Sequence, residues 1–211
     1  MNARLIYVMD PMCSWCWGFA PVADALAAQA ADYGIPLDLV AGGLRSEQSP
    51  IEPADRERYL GYWRAVQERT GQAFNVEVGL PHGMVYDTEP ACRLLVTARE
   101  LDATRAWSLV KRVQHAFYVE GKETSAADLL LALAEAEGYE SRAFASHFDS
   151  EAARERTRLD FAWARQLGIS GFPTMLAERD GQLALLTNGY QPIEQLSPLL
   201  GRWLQHGASL V

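Results

Sequence analysis

The sequence predicts an α/β domain interrupted by a large all-helical insertion. Three observations predict it: a β-α-β pattern at the start, a β-β-α pattern at the end, and helical periodicity through the interval between them. Neither flanking piece can bury a sheet alone. Residues 1–52 and 150–211 are therefore expected to form one discontinuous domain around an insertion at residues 53–149. An ordinary doubly wound α/β domain fits less well, because the interval shows no strand signal of the length and period such a sheet requires.

The opening is the most regular part. Leu5, Ile6, Tyr7 and Val8 follow one another without a polar break, as in a strand buried on both faces. Asp10-Pro11 ends that run, and Phe19, Val22, Leu26 and Ala30 then recur at helical spacing until Gly34 stops the helix. Residues 37–41 read as a second strand, placed after a helix as a parallel crossover demands. In the insertion, helices are expected over 56–70, 89–101, 104–119, 125–137 and 141–147, with Ser125 and Asp128 resembling a capping box. Residues 74–87 read as mostly loop. The close supplies a helix over 151–168, strands over 175–178 and 183–186 about an Asp180-Gly181 hairpin turn, and a final helix over 193–205. Leu196, Leu199, Leu200, Trp203 and Leu204 form its apolar side.

The 211 residues are 49% hydrophobic and 22% charged, enough to build a core without disulfide staples. A net charge of -8 argues against nucleic acid or anionic lipid as partners, and the basic stretch from Arg105 to Arg112 is diluted by Trp107, Leu109 and Val110. The first apolar run is too short for a membrane span or a secretory core, so no membrane association and a cytoplasmic location are expected. There, disulfides are mostly catalytic or transient. Three cysteines fit a redox pair, Cys13 and Cys16, plus a spare thiol, Cys92.

Cys13-Ser14-Trp15-Cys16 lies between the first strand and the first helix, where three-residue spacing puts both sulfurs on one face within bonding reach. A thiolate at a helix N-terminus is stabilised by unpaired N–H groups and the macrodipole. Cys13, the more exposed position, is expected to attack and Cys16 to resolve. The spacing also suits two core thiols. Zinc would need four ligands, and Cys92, His82 and His115 could serve only in an unusual arrangement, so no metal is expected.

A second segment, Gly168-Ile169-Ser170-Gly171-Phe172-Pro173-Thr174, stands between a helix and a strand, where a proline belongs at an edge or a special turn. Together the two segments resemble the thioredoxin superfamily, whose second hallmark is G-V/I-x-G-x-P-T/A with a cis proline beside the cysteines. The helical insertion is similar to that of the DsbA-like branch. Asp10-Pro11-Met12-Cys13-Ser14-Trp15-Cys16-Trp17-Gly18 is similar to the D-P-x-C-x-W-C-x-G pattern of its FrnE-type members, which include predicted protein disulfide isomerases. The resemblance implies a thioredoxin fold and a thiol-disulfide oxidoreductase or isomerase working through a mixed disulfide. It further implies that Ser14, Trp15, Phe172 and Pro173 contact the substrate, Phe172 through its backbone, while a cis Pro173 keeps metals off the thiols. No cofactor beyond the redox disulfide is implied, with glutathione as a candidate co-substrate and protein or small-molecule thiols and disulfides as partners.

Two rival functions share the scaffold. One is a glutathione-dependent transferase or isomerase of the kappa-class or hydroxychromene-carboxylate-isomerase type, with Ser14 as its working residue. The other is a non-catalytic module that holds extended peptides. The dipeptide Ser14-Trp15 departs from the Gly-Pro of thioredoxins and the Pro-His of DsbA, so no redox potential carries over. The first strand has no buried interior acid, which leaves Asp10 either relaying a proton to Cys16 or fixing the turn. Trp15 is the better candidate than Trp17 to face substrate, Cys92 is expected to be buried and inert, and Tyr86, His82 and Met84 are candidates for the cleft edge.

Overall fold

The computed structural model describes residues 3–206. Its central sheet has the order β2-β1-β5-β6, from strands β1 (Ala3–Met9), β2 (Leu37–Ala41), β5 (Thr174–Arg179) and β6 (Gln182–Asn188). β1 and β2 run parallel, joined across helix α1 (Ser14–Ala31), whereas β5 is antiparallel to β1 and to β6. β1 is buried on both faces, which explains its unbroken apolar run. Leu5, Tyr7 and Met9 join the main core beside Phe19 and Leu26 of α1, whereas Ile6 and Val8 join Leu176 and Ala164 on the other side. The last of these belongs to helix α6 (Glu151–Gln166), and helix α7 (Ile193–His206) packs Leu196, Leu200 and Trp203 into the main core. Between β5 and β6 the loop is Asp180-Gly181, both residues at positive φ, the backbone a two-residue hairpin with a right-handed strand twist requires.

The interval between the two halves holds helices α2 (Pro53–Thr70), α3 (Glu89–Tyr118), α4 (Ala127–Ala136) and α5 (Ser141–Phe148). α3 joins the two helices expected over 89–101 and 104–119, with a break in helical geometry at Asp102 (φ -157°). The interval is not all-helical. β4 (Val85–Asp87) pairs antiparallel with β3 (Ser46–Pro50) in a separate two-stranded ribbon, not with the central sheet. β3 carries no hydrophobic alternation because all five of its residues are exposed, and β4 is three residues long, so periodicity marks neither. The expected capping box is also absent. Ala126 holds the N-cap of α4, while the Ser125 hydroxyl points back to Glu123.

Two contacts fix α2 and the turn that follows it against α1. A Cβ on Gly18 would lie 2.8 Å from a Val66 methyl, so the absent side chain permits the close approach. Pro21 in α1 removes the N–H that would pair with the Trp17 carbonyl, and Gln72 Nε2 donates to that carbonyl instead, at 3.1 Å.

Candidate active site

The turn between β1 and α1 is held by Asp10. Its Oδ1 accepts from Met12 N at 2.8 Å, and its Oδ2 accepts from Leu44 N at 2.7 Å, Thr88 Oγ1 at 2.6 Å and Cys92 Sγ at 3.3 Å. One fully buried carboxylate thus ties together the Cys turn, the loop after β2 and the start of α3. Burial raises its pKa above the ordinary carboxylate value, against the pull of those donors. Both oxygens are occupied, and among the described residues neither makes a hydrogen bond to the Cys16 thiol.

Cys13 is the N-cap of α1, its carbonyl accepting from Trp17 N at 3.1 Å, and no side-chain oxygen caps the helix. Its sulfur therefore stands where a capping acceptor would stand. The thiol lies 3.7 Å from the carbonyl oxygen of Phe172, 159 residues away in the chain, and the Phe172–Pro173 bond is cis. Cys13 retains 5% exposure and lines an open cavity; Cys16, one turn inside, has none. Burial, followed by interaction with Cys13, raises the pKa of Cys16 well above the ordinary thiol value. Cys92 is likewise buried and raised by desolvation and then by Asp10, and it faces Asp10, not the cavity.

The cavity, of about 330 Å³, is lined by Cys13, Ser14 and Trp15 on one side, Gly171 and Phe172 on another, and Leu44, Arg45, Tyr59, Tyr62, Trp63 and Tyr86 opposite. A second cavity of about 290 Å³ adjoins it across Trp15 and Phe172 and adds Arg69, Gly189 and Tyr190. The two tryptophans beside Cys16 divide their roles. Trp15 is 37% exposed and faces the cavities, whereas Trp17 is buried, donates to the Ala73 carbonyl at 2.8 Å and stacks on Tyr118. Of the residues expected at the edge, Tyr86 lines the cavity and donates to the Met12 carbonyl, Met84 is fully buried, and His82 is exposed outside it.

The face formed by Leu44, Arg45 and the α2 aromatics was not anticipated from the sequence. Its signal is Gly42-Gly43 at the carboxyl end of β2, beside the carboxyl end of the parallel β1, where crevices of parallel sheets form. A Cβ on Gly42 would lie 2.2 Å from the Phe172 ring, so the missing side chain allows that loop to reach the proline segment.

The model of the DSBA-like thioredoxin domain matches residues 4–201. The chain belongs to that family. It is 37% identical, with a TM-score of 0.91, to a Nitrosomonas europaea protein solved under the provisional description of a protein disulfide isomerase; the match covers 99% of this chain and 100% of that one. The cytosolic disulfide reductase DsbM of Pseudomonas aeruginosa, also solved with glutathione, is 28% identical over 96% of this chain and 92% of its own, with a TM-score of 0.75. The ClpXP adapter protein SpxH of Halalkalibacterium halodurans is 22% identical over 92% of this chain, which spans 66% of that relative's length. Among the described residues no helix is long and apolar enough to cross a membrane.

Proposed function

We propose that this member of the DSBA-like family is an enzyme of thiol-disulfide exchange, with Cys13 as nucleophile and Cys16 as resolving thiol. The observation that carries the reading is the difference between the two sulfurs: Cys13 opens onto an aromatic cavity beside Phe172, and Cys16 is sealed behind it. The Cys13 thiolate attacks one sulfur of a substrate disulfide, forms a mixed disulfide and releases the other half as a thiolate. Until then Cys16 is kept protonated by burial and by the neighbouring Cys13. Once Cys13 is bound in the mixed disulfide its charge is gone, so it no longer opposes ionisation of Cys16. The Cys16 thiolate then attacks Cys13 Sγ, the second substrate thiolate leaves, and the Cys13–Cys16 disulfide remains. Two external thiols, for which glutathione is a candidate, return it to the dithiol. The cytosolic setting of the DsbM relative supports a cytoplasmic location and net reduction.

Trapping tests the assignment. Cys16→Ser is expected to accumulate a mixed disulfide on Cys13, visible as a mass increase lost on reduction, while Cys92→Ser turns over like the parent. Adducts on Cys16 in a Cys13→Ser protein would reverse the roles. Glutathione binding without dithiol turnover would favour instead the transferase or isomerase reading based on Ser14, and an unreactive Cys13 would favour a peptide-holding module.

A further inference from the structure

Most arginines of this chain that leave the surface have their donors taken. Arg56 donates to the Leu80 and Val78 carbonyls, Arg93 to Glu89 and the Phe148 carbonyl, and Arg99 to Asp160 and the Leu39 carbonyl. Arg45 is different. Its Nε is buried with no acceptor among the described residues, and the nearest carboxylate is that of Glu47, at 3.7 Å and itself more than half exposed. A buried donor left unpaired costs about 1–3 kcal/mol.

The guanidinium is nonetheless held in place. It lies 4.7 Å from the Tyr59 ring centroid and 5.1 Å from that of Tyr86, and Tyr86 is anchored in turn on the Met12 carbonyl in the Cys turn. Arg45 lines the same cavity as Cys13, Ser14 and Trp15. In the adjoining cavity Arg69 lies over Tyr190 at 5.7 Å and has no ion pair among the described residues. Two cations, Arg45 with only the loose Glu47 pair and Arg69 with no ion pair among the described residues, thus flank the Trp15–Phe172 ridge of a protein whose net charge is -8.

We infer that Arg45 is the specificity-determining residue of this cleft, taking a carboxylate of the thiol or disulfide substrate, so that acidic disulfides are the preferred class. This rests on the exchange reading above. A planar guanidinium packed against two mutually touching aromatic rings is held in one orientation, so its terminal Nη donors keep the geometry a carboxylate accepts, and the loose Glu47 pair yields to an incoming acid. Arg69, across the ridge, takes a second acidic group of a substrate long enough to span it, and the smaller contact makes it the weaker of the two.

The test compares three disulfides of different charge: glutathione disulfide, neutral hydroxyethyl disulfide and cationic cystamine. The readout is the ratio of kcat/KM for glutathione disulfide to that for hydroxyethyl disulfide. Arg45→Gln is expected to lower this ratio about tenfold or more, as loss of a charged hydrogen bond implies, mainly through KM. Arg45→Lys should recover part of it, Arg69→Gln should lower it less, and the preference for cystamine should rise. An equal loss on all three disulfides, or an unchanged ratio, would make Arg45 a structural brace and overturn the proposal. If the parent protein turns over none of them the exchange reading fails, and Arg45 is then judged by equilibrium binding of S-methylglutathione. Weaker binding by Arg45→Gln sustains the carboxylate contact, and equal affinity rejects it.

Discussion

Two clefts flank the start of α1, and the larger is not the one that holds Cys13. The larger, about 500 Å³, lies on the Trp17 side and holds Lys111, Arg112, His115 and Lys122. Each has a carboxylate of the same cleft: Asp24 at 2.8 Å, Glu137 at 2.8 Å, and Glu120 at 3.0 Å and 2.6 Å. On the Trp15 side the smaller cleft holds Cys13, an arginine whose Nε is unpaired and whose ion pair is the loose 3.7 Å one to Glu47 outside the lining, and, bound to the N–H of the lining residue Leu44, a buried carboxylate with no cation among the described residues. A neutralised cleft has no electrostatic work left for a ligand, whereas an unbalanced one does. Imbalance, more than volume, sets the proposed site apart.

That comparison breaks most clearly by substitution on both sides. Cys13→Ser should reduce disulfide exchange to the uncatalysed rate, whereas Lys111→Ala, which opens an exposed ion pair in the larger cleft, should leave kcat/KM within about twofold. A large loss from Lys111→Ala would return the larger cleft to consideration. A smaller effect is expected at Gly42. The Cβ of Gly42→Ala meets the Phe172 ring at 2.2 Å, so ring and backbone must shift at the segment 3.7 Å from the Cys13 sulfur. Misplacement of a reacting group by a fraction of an ångström predicts a loss of about tenfold in kcat/KM. Gly61→Ala, on the open face of α2, meets nothing within 4 Å and serves as the control.

The same contrast between balanced and unbalanced regions explains what the sequence revealed. The central sheet was legible because β1 is buried on both faces and Asp180-Gly181 fits only a tight hairpin, so local chemistry and final structure agree. The ribbon of Ser46–Pro50 and Val85–Asp87 was not, since one strand is exposed throughout and the other is only three residues long, so that pairing between distant segments holds them and neither carries a pattern of its own. Of the site, Cys13, Cys16 and Phe172 announced themselves through two short motifs. Arg45 lies in a polar stretch, and its significance comes from Tyr59, Tyr86 and the missing acceptor, none of which is adjacent in sequence. Asp10 was visible as a residue but ambiguous in role, because its partners Leu44, Thr88 and Cys92 come from two other segments.

Asp10 supplies the subtlest test of the contrast, since it is an acid kept without a cation by neutral donors alone. Its folded-state pKa lies above the ordinary carboxylate value because desolvation outweighs the bonds from Thr88, Leu44, Met12 and Cys92. The sign follows from proton linkage. As pH rises past the ordinary value the unfolded chain releases its proton before the folded one, so Asp10's contribution to stability is complete at low pH and declines until the folded-state carboxyl has also ionised. Asp10→Asn cannot titrate. With its oxygen toward Leu44, Thr88 and Cys92 it places an amide against the Met12 N–H, which costs about 1–3 kcal/mol. Urea unfolding at a series of pH values should therefore find the parent protein more stable than Asp10→Asn in mild acid, with the gap narrowing toward neutrality. A gap that widened with pH would mean that the four donors outweigh burial and hold Asp10 charged, leaving this end of the molecule as well balanced as the cleft on the other side of α1.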